Sequence, residues 1–327
     1  MQPLHIGISK RITKILSISS PIGIFIVNTM GFIDTDTGSA LGCGRQWPLC
    51  NNQVIPSTWD IHTIIEYAHR GIVGVVSLLL IALSVFAWII YGRYVEVRAL
   101  SLISIGFVFI EALLGALGVV FGDPPTELAT HFGVSLIAFS AVLLLYIVIR
   151  QIDRRQASNR VAHTATLRPI SVTKSYGKSV WFAISYLYVA MYIGAYVANS
   201  GTADHFRGLV LPTELRLAPH GAWWIDSLHR TIAVGLLIVV IHLVSQSYVI
   251  RKSRPDLWRG SLLTLAFTLL QLAAGVLLIA SHISLLAQMI HTAVVTALFG
   301  TMCYMALQAL PEPHSRLKSA EHLILEH

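Results

Sequence analysis

Eight stretches of this chain are long and apolar enough to cross a lipid bilayer, and that property removes most folds from consideration. They lie at 14–33, 63–91, 98–121, 127–149, 180–199, 224–250, 259–281 and 284–309, against the ~20 apolar residues that about 30 Å of hydrocarbon requires. Hydrocarbon offers no partner to a backbone N–H or C=O, so a spanning segment must be a helix or part of a closed barrel. Each run is uniformly apolar without strand-like alternation, which selects helices over a barrel. The composition agrees: 55% hydrophobic residues, 12% charged and a mean hydropathy of +0.69 do not describe a water-soluble domain. The fold class expected is an all-α integral membrane protein with eight transmembrane helices.

The net charge of +7 reports topology rather than an acidic or nucleic-acid partner. Of the 23 Lys and Arg residues, 18 fall on one side of the expected spans: Lys10, Arg11 and Lys14, then Arg93 and Arg98, seven between Arg150 and Lys178, four from Arg251 to Arg259, and Arg316 and Lys318. The positive-inside rule makes that side cytoplasmic, with both termini inside and the protein in the cell membrane. The first apolar run has a basic flank but no small-residue cleavage site before Asp34, so it reads as an uncleaved span. Residues 34–62 and 200–223 then form two long extracytoplasmic loops.

Histidine is costly inside a membrane, and four here are arranged regularly. His69 and His131 are 62 residues apart, as are His229 and His291. A shift of 160 lays Glu66, His69 and Arg70 on Asp226, His229 and Arg230, and lays Glu111 on Gln271, Gly115 on Gly275 and His131 on His291. Each half holds four spans, an even number, so both enter the membrane in the same orientation. The expected architecture is two parallel four-helix bundles related by a pseudo-twofold axis along the membrane normal. Residues 1–149 would form the first and 180–310 the second, with 150–179 a cytoplasmic linker and 311–327 a cytoplasmic tail.

A pair of histidines on facing helices of a bundle is the arrangement that holds a heme iron between two imidazoles. Hydrogen bonding between helices is the structural alternative for each histidine. Zinc competes weakly, because a structural zinc site needs four convergent ligands. Glu66 lies one turn before His69 on the same helix face, where a bound group's edge would find an acid, base or proton relay. A carboxylate at a helix start also simply suits the helix dipole. Arg70 and Arg230 could meet heme propionates or snorkel to the interface, and Glu111 could be functional or a structural hydrogen-bonding group. Cys43 and Cys50 sit in the first outer loop, where a disulfide persists. They could staple the loop or form an exchangeable redox pair. Cys303 reads as a small apolar residue of the last span.

The loop Thr37, Gly38, Ser39, Ala40, Leu41, Gly42 and Cys43 through Cys50, the Glu66-to-Arg70 motif, Gly115, Gly118 and Gly122, the His131, Phe132, Gly133 triplet and the His229, Arg230 pair together resemble the heme A synthase family, the bacterial type with a cysteine pair in the first outer loop. The likeness runs over nearly all eight spans. It implies a membrane oxidoreductase that hydroxylates a ring methyl group of heme O and dehydrates the product to the formyl group of heme A, for cytochrome oxidase assembly. It also implies that His229 and His291 hold a resident heme b, that His69 and His131 bind the substrate heme, and that Glu66 is catalytic. Cys43 and Cys50 would be redox-active or heme-handling. Heme O synthase, the protoheme farnesyltransferase, and oxidase assembly components would be partners, with the chain as a possible homo-oligomer.

Two departures from the family pattern stand out. Many members carry a second cysteine pair between helices 5 and 6, where this chain has none, and a basic residue before the Thr-Gly-Ser turn, where this chain has Asp36. Two alternatives use the same histidines: a diheme electron-transfer cytochrome, and a heme-delivery assembly factor. An electron relay needs neither a carboxylate at one ring edge nor an outer thiol pair, and a delivery factor would release its hemes unchanged.

Overall fold

A computed structural model describes residues 3–122, 124–157, 172–208, 211–214 and 217–310. Eight long helices dominate: α1 (Pro3–Asp36), α2 (Ile61–Tyr91), α3 (Val95–Phe121), α4 (Pro125–Ala157), α5 (Lys174–Asn199), α6 (Ala222–Val249), α7 (Pro255–Ala280) and α8 (Leu285–Ala309). All eight are long and apolar enough to span a membrane, as the apolar runs predict. Several are longer than those runs, because polar ends carry the helix past the hydrocarbon: α1 begins at Pro3 and α4 continues to Ala157, inside the expected linker. The rest of that linker up to residue 171, and the tail 311–327, lie outside the described residues.

Local chemistry sets the helix starts and stops. Asp60 caps α2, its Oδ1 accepting from the His62 and Thr63 backbone N–H groups at 3.0 and 3.1 Å. Thr173 and Ser284 cap α5 and α8 in the same way. Proline opens α7 at Pro255, where a missing N–H costs nothing. Gly122, at φ 82°, closes α3 in the left-handed conformation that favours glycine.

In sequence order, α1 packs on α2, α2 on α3 and α3 on α4, with α1 returning to α4; α5 to α8 repeat the pattern, with α5 returning to α8. The halves meet where α4 touches α5 and α8, and where α1 touches α8. Burial follows: within the most apolar stretch, 67% of α4 and 50% of α8 is buried, against 11% of α3 and 17% of α7. One core gathers Leu80, Leu83, Val142, Leu145 and Ile149 from the first four helices, and another gathers Val180, Leu187, Val240, Leu298 and Met302 from the last four. Cys303 and Tyr304 pack against both. Phe109, Leu78, Val234 and Ile238 point outward, which suits lipid.

A short 3-10 turn (Thr202–His205) and a two-stranded ribbon, β1 (Phe206–Arg207) with antiparallel β2 (Thr213–Glu214), fold over the start of α6. At the opposite end, Arg254 donates to Asp256 Oδ1 and Oδ2 at 3.0 and 2.8 Å and to the Gln308 carbonyl at 3.0 Å, tying the start of α7 to the end of α8. Its guanidinium is almost wholly buried, so truncation strands a carboxylate and a carbonyl together. Arg254→Ala should destabilise the bundle by about 1.5–3 kcal/mol, seen as a lower midpoint of thermal unfolding in detergent by circular dichroism. An unchanged midpoint would show that this tie contributes nothing.

Candidate paired-histidine sites

His69, His131, His229 and His291 lie on α2, α4, α6 and α8, each within about three turns of the start of its helix. They come together in pairs. His69 and His131 line one cavity and interact electrostatically, and His229 and His291 interact electrostatically in the other half.

Each imidazole is seated on a glycine of the preceding odd-numbered helix. A Cβ added at Gly31 or Gly115 would stand 3.3 Å from Cε1 of His69 or His131. One at Gly194 would stand 2.6 Å from His229 Cε1, and one at Gly275 3.7 Å from His291 Cε1. The bare helix surface lets the ring lie close against the backbone, and α1, α3, α5 and α7 each supply one such seat. Gly115 and Gly275 are in register in the repeat; Gly31 and Gly194 are not, and sequence reasoning missed them.

The second histidine of each pair carries a partner. Glu111 Oε2 lies 2.6 Å from His131 Nε2, and Gln271 Nε2 lies 2.9 Å from His291 Nε2. Nδ1 of His69 and of His291 is buried without a hydrogen-bond partner among the described residues. Such nitrogens are expensive in an apolar interior unless a ligand is expected there.

The first half encloses a cavity of about 500 Å³ lined by Glu66, His69, Arg70, Glu111 and His131, with Gly31 and Gly115 in its wall. That volume falls in the usual range for small-molecule and cofactor pockets. Trp47 and Pro48 of the first loop also line it, a contribution that nothing in the sequence signals. Asn28 lines the cavity too, its Oδ1 accepting from Ser135 at 2.5 Å.

Glu66 is only 2% exposed, so it is no solvated helix-start carboxylate. Its Oε1 accepts from Arg70 Nη2, and its Oε2 accepts from the Cys43 backbone N–H at 2.5 Å. Arg70 neither snorkels nor waits free: its Nη1 donates to the carbonyls of Gln46 and Leu49 at 3.2 and 2.7 Å. Those carbonyls lie inside the ring closed by the Cys43–Cys50 disulfide, whose two cysteines are buried. The loop is further pinned where Ser39 Oγ meets His62 Nδ1 at 3.0 Å and Thr63 Oγ1 donates to the Gly42 carbonyl at 2.9 Å. The Thr-Gly-Ser turn therefore anchors the loop to the start of α2.

The second half repeats this frame with different reach. Arg230 Nε donates to Asp226 Oδ2 at 2.8 Å, and its Nη1 donates to the Gly208 carbonyl beside the ribbon. Among the described residues, no three His, Cys, Asp or Glu converge to hold a bare metal ion. A metal held by two histidines must then bring most of its own ligands, as a macrocycle does.

Fold and sites together define a multi-pass helical membrane protein with two histidine pairs set between helices, one opening on a largely apolar cavity that carries Glu66, Arg70 and Glu111. The model of the COX15-CtaA family, described as a cytochrome oxidase assembly protein, matches residues 14–303, and the chain belongs to that family. It is similar to the heme A synthase of Geobacillus kaustophilus, 31% identical over 314 residues that cover 96% of either chain. It is likewise similar to the heme A synthase of Bacillus pumilus, 33% identical over 90% of this chain and 94% of that one, and to that of Bacillus licheniformis, 32% identical over 90% and 95%.

The glycine seats predict a graded response. Gly194→Ala places a methyl group where the His229 ring lies and should cost about 1–3 kcal/mol of overpacking, displacing the ring. Gly275→Ala introduces only an ordinary contact. Absorption spectra of the two purified variants loaded with hemin should show the low-spin bis-histidine signature reduced in the first and kept in the second. Equal spectra would refute the seating.

Proposed function

We propose that the chain carries out the heme A synthase reaction, oxidising a methyl group of heme O to the formyl group of heme A for cytochrome oxidase assembly. The observation that carries this reading is the cavity that gathers Glu66, His69, Arg70 and His131 beneath the disulfide-closed loop. Family membership and the named relatives support it. His69 and His131 would bind the substrate heme.

His229 and His291 would hold a resident heme b, which when bound supplies one-electron transfer. The residues fit such a group: imidazoles paired across the bundle, with glycine seats that let each ring lie close to the backbone. Arg230 is occupied by Asp226 and Gly208, so any propionate contact from it would have to share.

Whatever the oxygen source, a methyl carbon becoming a formyl carbon gives up four electrons, and protons leave with them. Glu66 is the group placed to take those protons, at the cavity wall and one turn from His69. Arg70 holds the Glu66 carboxylate in place, and the loop residues Trp47 and Pro48 form part of the cavity wall. A pure electron relay would leave this buried carboxylate and its grip on the loop without a task.

By the positive-inside rule, the cavity and the Cys43–Cys50 loop face the extracytoplasmic side and both termini are cytoplasmic. The matching contacts of Glu66 with Arg70 and of Asp226 with Arg230 support two bundles related by a pseudo-twofold axis. Heme O synthase would deliver the substrate, and a homo-oligomer is compatible with the apolar outer faces.

Co-expression with a heme O synthase, followed by chromatography and mass analysis of extracted heme, tests the reading. Heme A or its hydroxylated precursor should appear, and His69→Ala should abolish it. Heme O left unchanged by a folded, heme-loaded protein would overturn the assignment. Glu66→Gln should keep heme bound and slow formyl formation by about a hundredfold or more. Normal output from that variant would remove Glu66 from the chemistry.

A further inference from the structure

The two halves put different groups on equivalent histidines. Glu111 and Gln271 correspond at the offset of 160. One sets a carboxylate oxygen 2.6 Å from His131 Nε2 and the other an amide nitrogen 2.9 Å from His291 Nε2. We propose that Glu111 makes the His69/His131 site an exchange site: it holds His131 Nε2 at the cavity wall and competes with heme iron for that nitrogen, so heme there is released, while Gln271 lets His291 keep its heme. The inference rests on the reading of both histidine pairs as heme ligands.

Three observations lead to it. Iron bonds a nitrogen lone pair, so the hydrogen shared between Nε2 and its partner must be given up on loading. The carboxyl contact, at 2.6 Å, is shorter than the 2.9 Å amide contact and is the stronger hydrogen bond, so the first half loses more. Next, Glu111 Oε1 is buried without a hydrogen-bond partner among the described residues. When His131 turns to iron, the carboxyl group loses that hydrogen bond and is left facing an apolar wall, a larger cost than for an amide. Last, Glu111 itself lines the cavity, so it stands ready to recapture the imidazole as the heme departs. A site that transforms its heme needs release as much as binding, whereas a site for a resident cofactor does not.

The test uses the full-length chain in detergent, loaded with hemin, and follows hemin transfer to excess apomyoglobin. Two release phases are expected, the faster one lost in His131→Ala. Glu111→Gln should slow the fast phase about tenfold and leave the slow phase unchanged, which also shows that the variant is folded. Gln271→Glu should speed the slow phase. Release from Glu111→Gln at the original rate or faster would overturn the inference alone. If His131→Ala and His291→Ala each left both phases intact, the histidine pairs would not be the heme sites, and the underlying reading would fall instead.

Discussion

Charged side chains survive inside an apolar bundle only where they hold one another, and one such contact organises the loop end of this protein. Glu66 and Arg70, a turn apart on α2, satisfy each other and then reach in different directions: the carboxylate to the Cys43 N–H, the guanidinium to the Gln46 and Leu49 carbonyls. The loop is thereby fastened to the helix from both ends of its disulfide-closed ring. Its position decides where Trp47 and Pro48 lie, and so decides the roof of the cavity. Removing either member takes away the other's counter-charge and one of its links to the loop, which is why the contact reaches so far.

The helices beneath are organised by a different economy. With lipid outside, apolar burial gives little drive for helices to associate, so close packing and small residues must supply it. The glycines under the histidine rings serve that purpose and a second one, because the space a side chain would occupy is given to an imidazole. Each consecutive helix pair, α1–α2, α3–α4, α5–α6 and α7–α8, is thus both a packing unit and half of a histidine site. The bundle's centre, α4 and α8, carries one histidine of each pair and touches the opposite half, placing the two sites on either side of one shared core.

Much of this was legible in the residues. Runs of apolar residues located all eight spans, since backbone satisfaction in lipid leaves a helix no rival. The register of His69, Arg70, Gly115 and His131 with His229, Arg230, Gly275 and His291 exposed the duplicated frame, since those positions share spacing along helices of equal rise. What stayed hidden depended on contacts between segments. Gly31 and Gly194 do not fall at the common offset, because the chain from Gly31 to His69 is longer than that from Gly194 to His229, and a lone glycine in an apolar run carries no signal of what lies against it. The burial of Glu66 was equally hidden: its exposed and buried readings differ only in where the Cys43 loop folds, and helix periodicity says nothing of that. The loop contacts of Arg70 were hidden for the same reason, since its acceptors are loop carbonyls, which every residue possesses.

Divergence between the halves follows from small changes on this common frame. Glu66 is one methylene longer than Asp226, and that length lets its carboxylate bridge from Arg70 to the loop backbone, while the Asp226 carboxylate meets Arg230 and the arginine alone reaches the ribbon side at Gly208. A carboxylate bonded to a disulfide-closed loop is tied to that loop's conformation; one that meets only its own helix is not. The same logic separates Glu111 from Gln271, where an acid and an amide face equivalent imidazoles. Only the second difference adds an ionisable group, and both put the longer-reaching or charged group in the half with the large cavity. Two similar histidine pairs can in this way be given different surroundings by single side chains, without altering a helix.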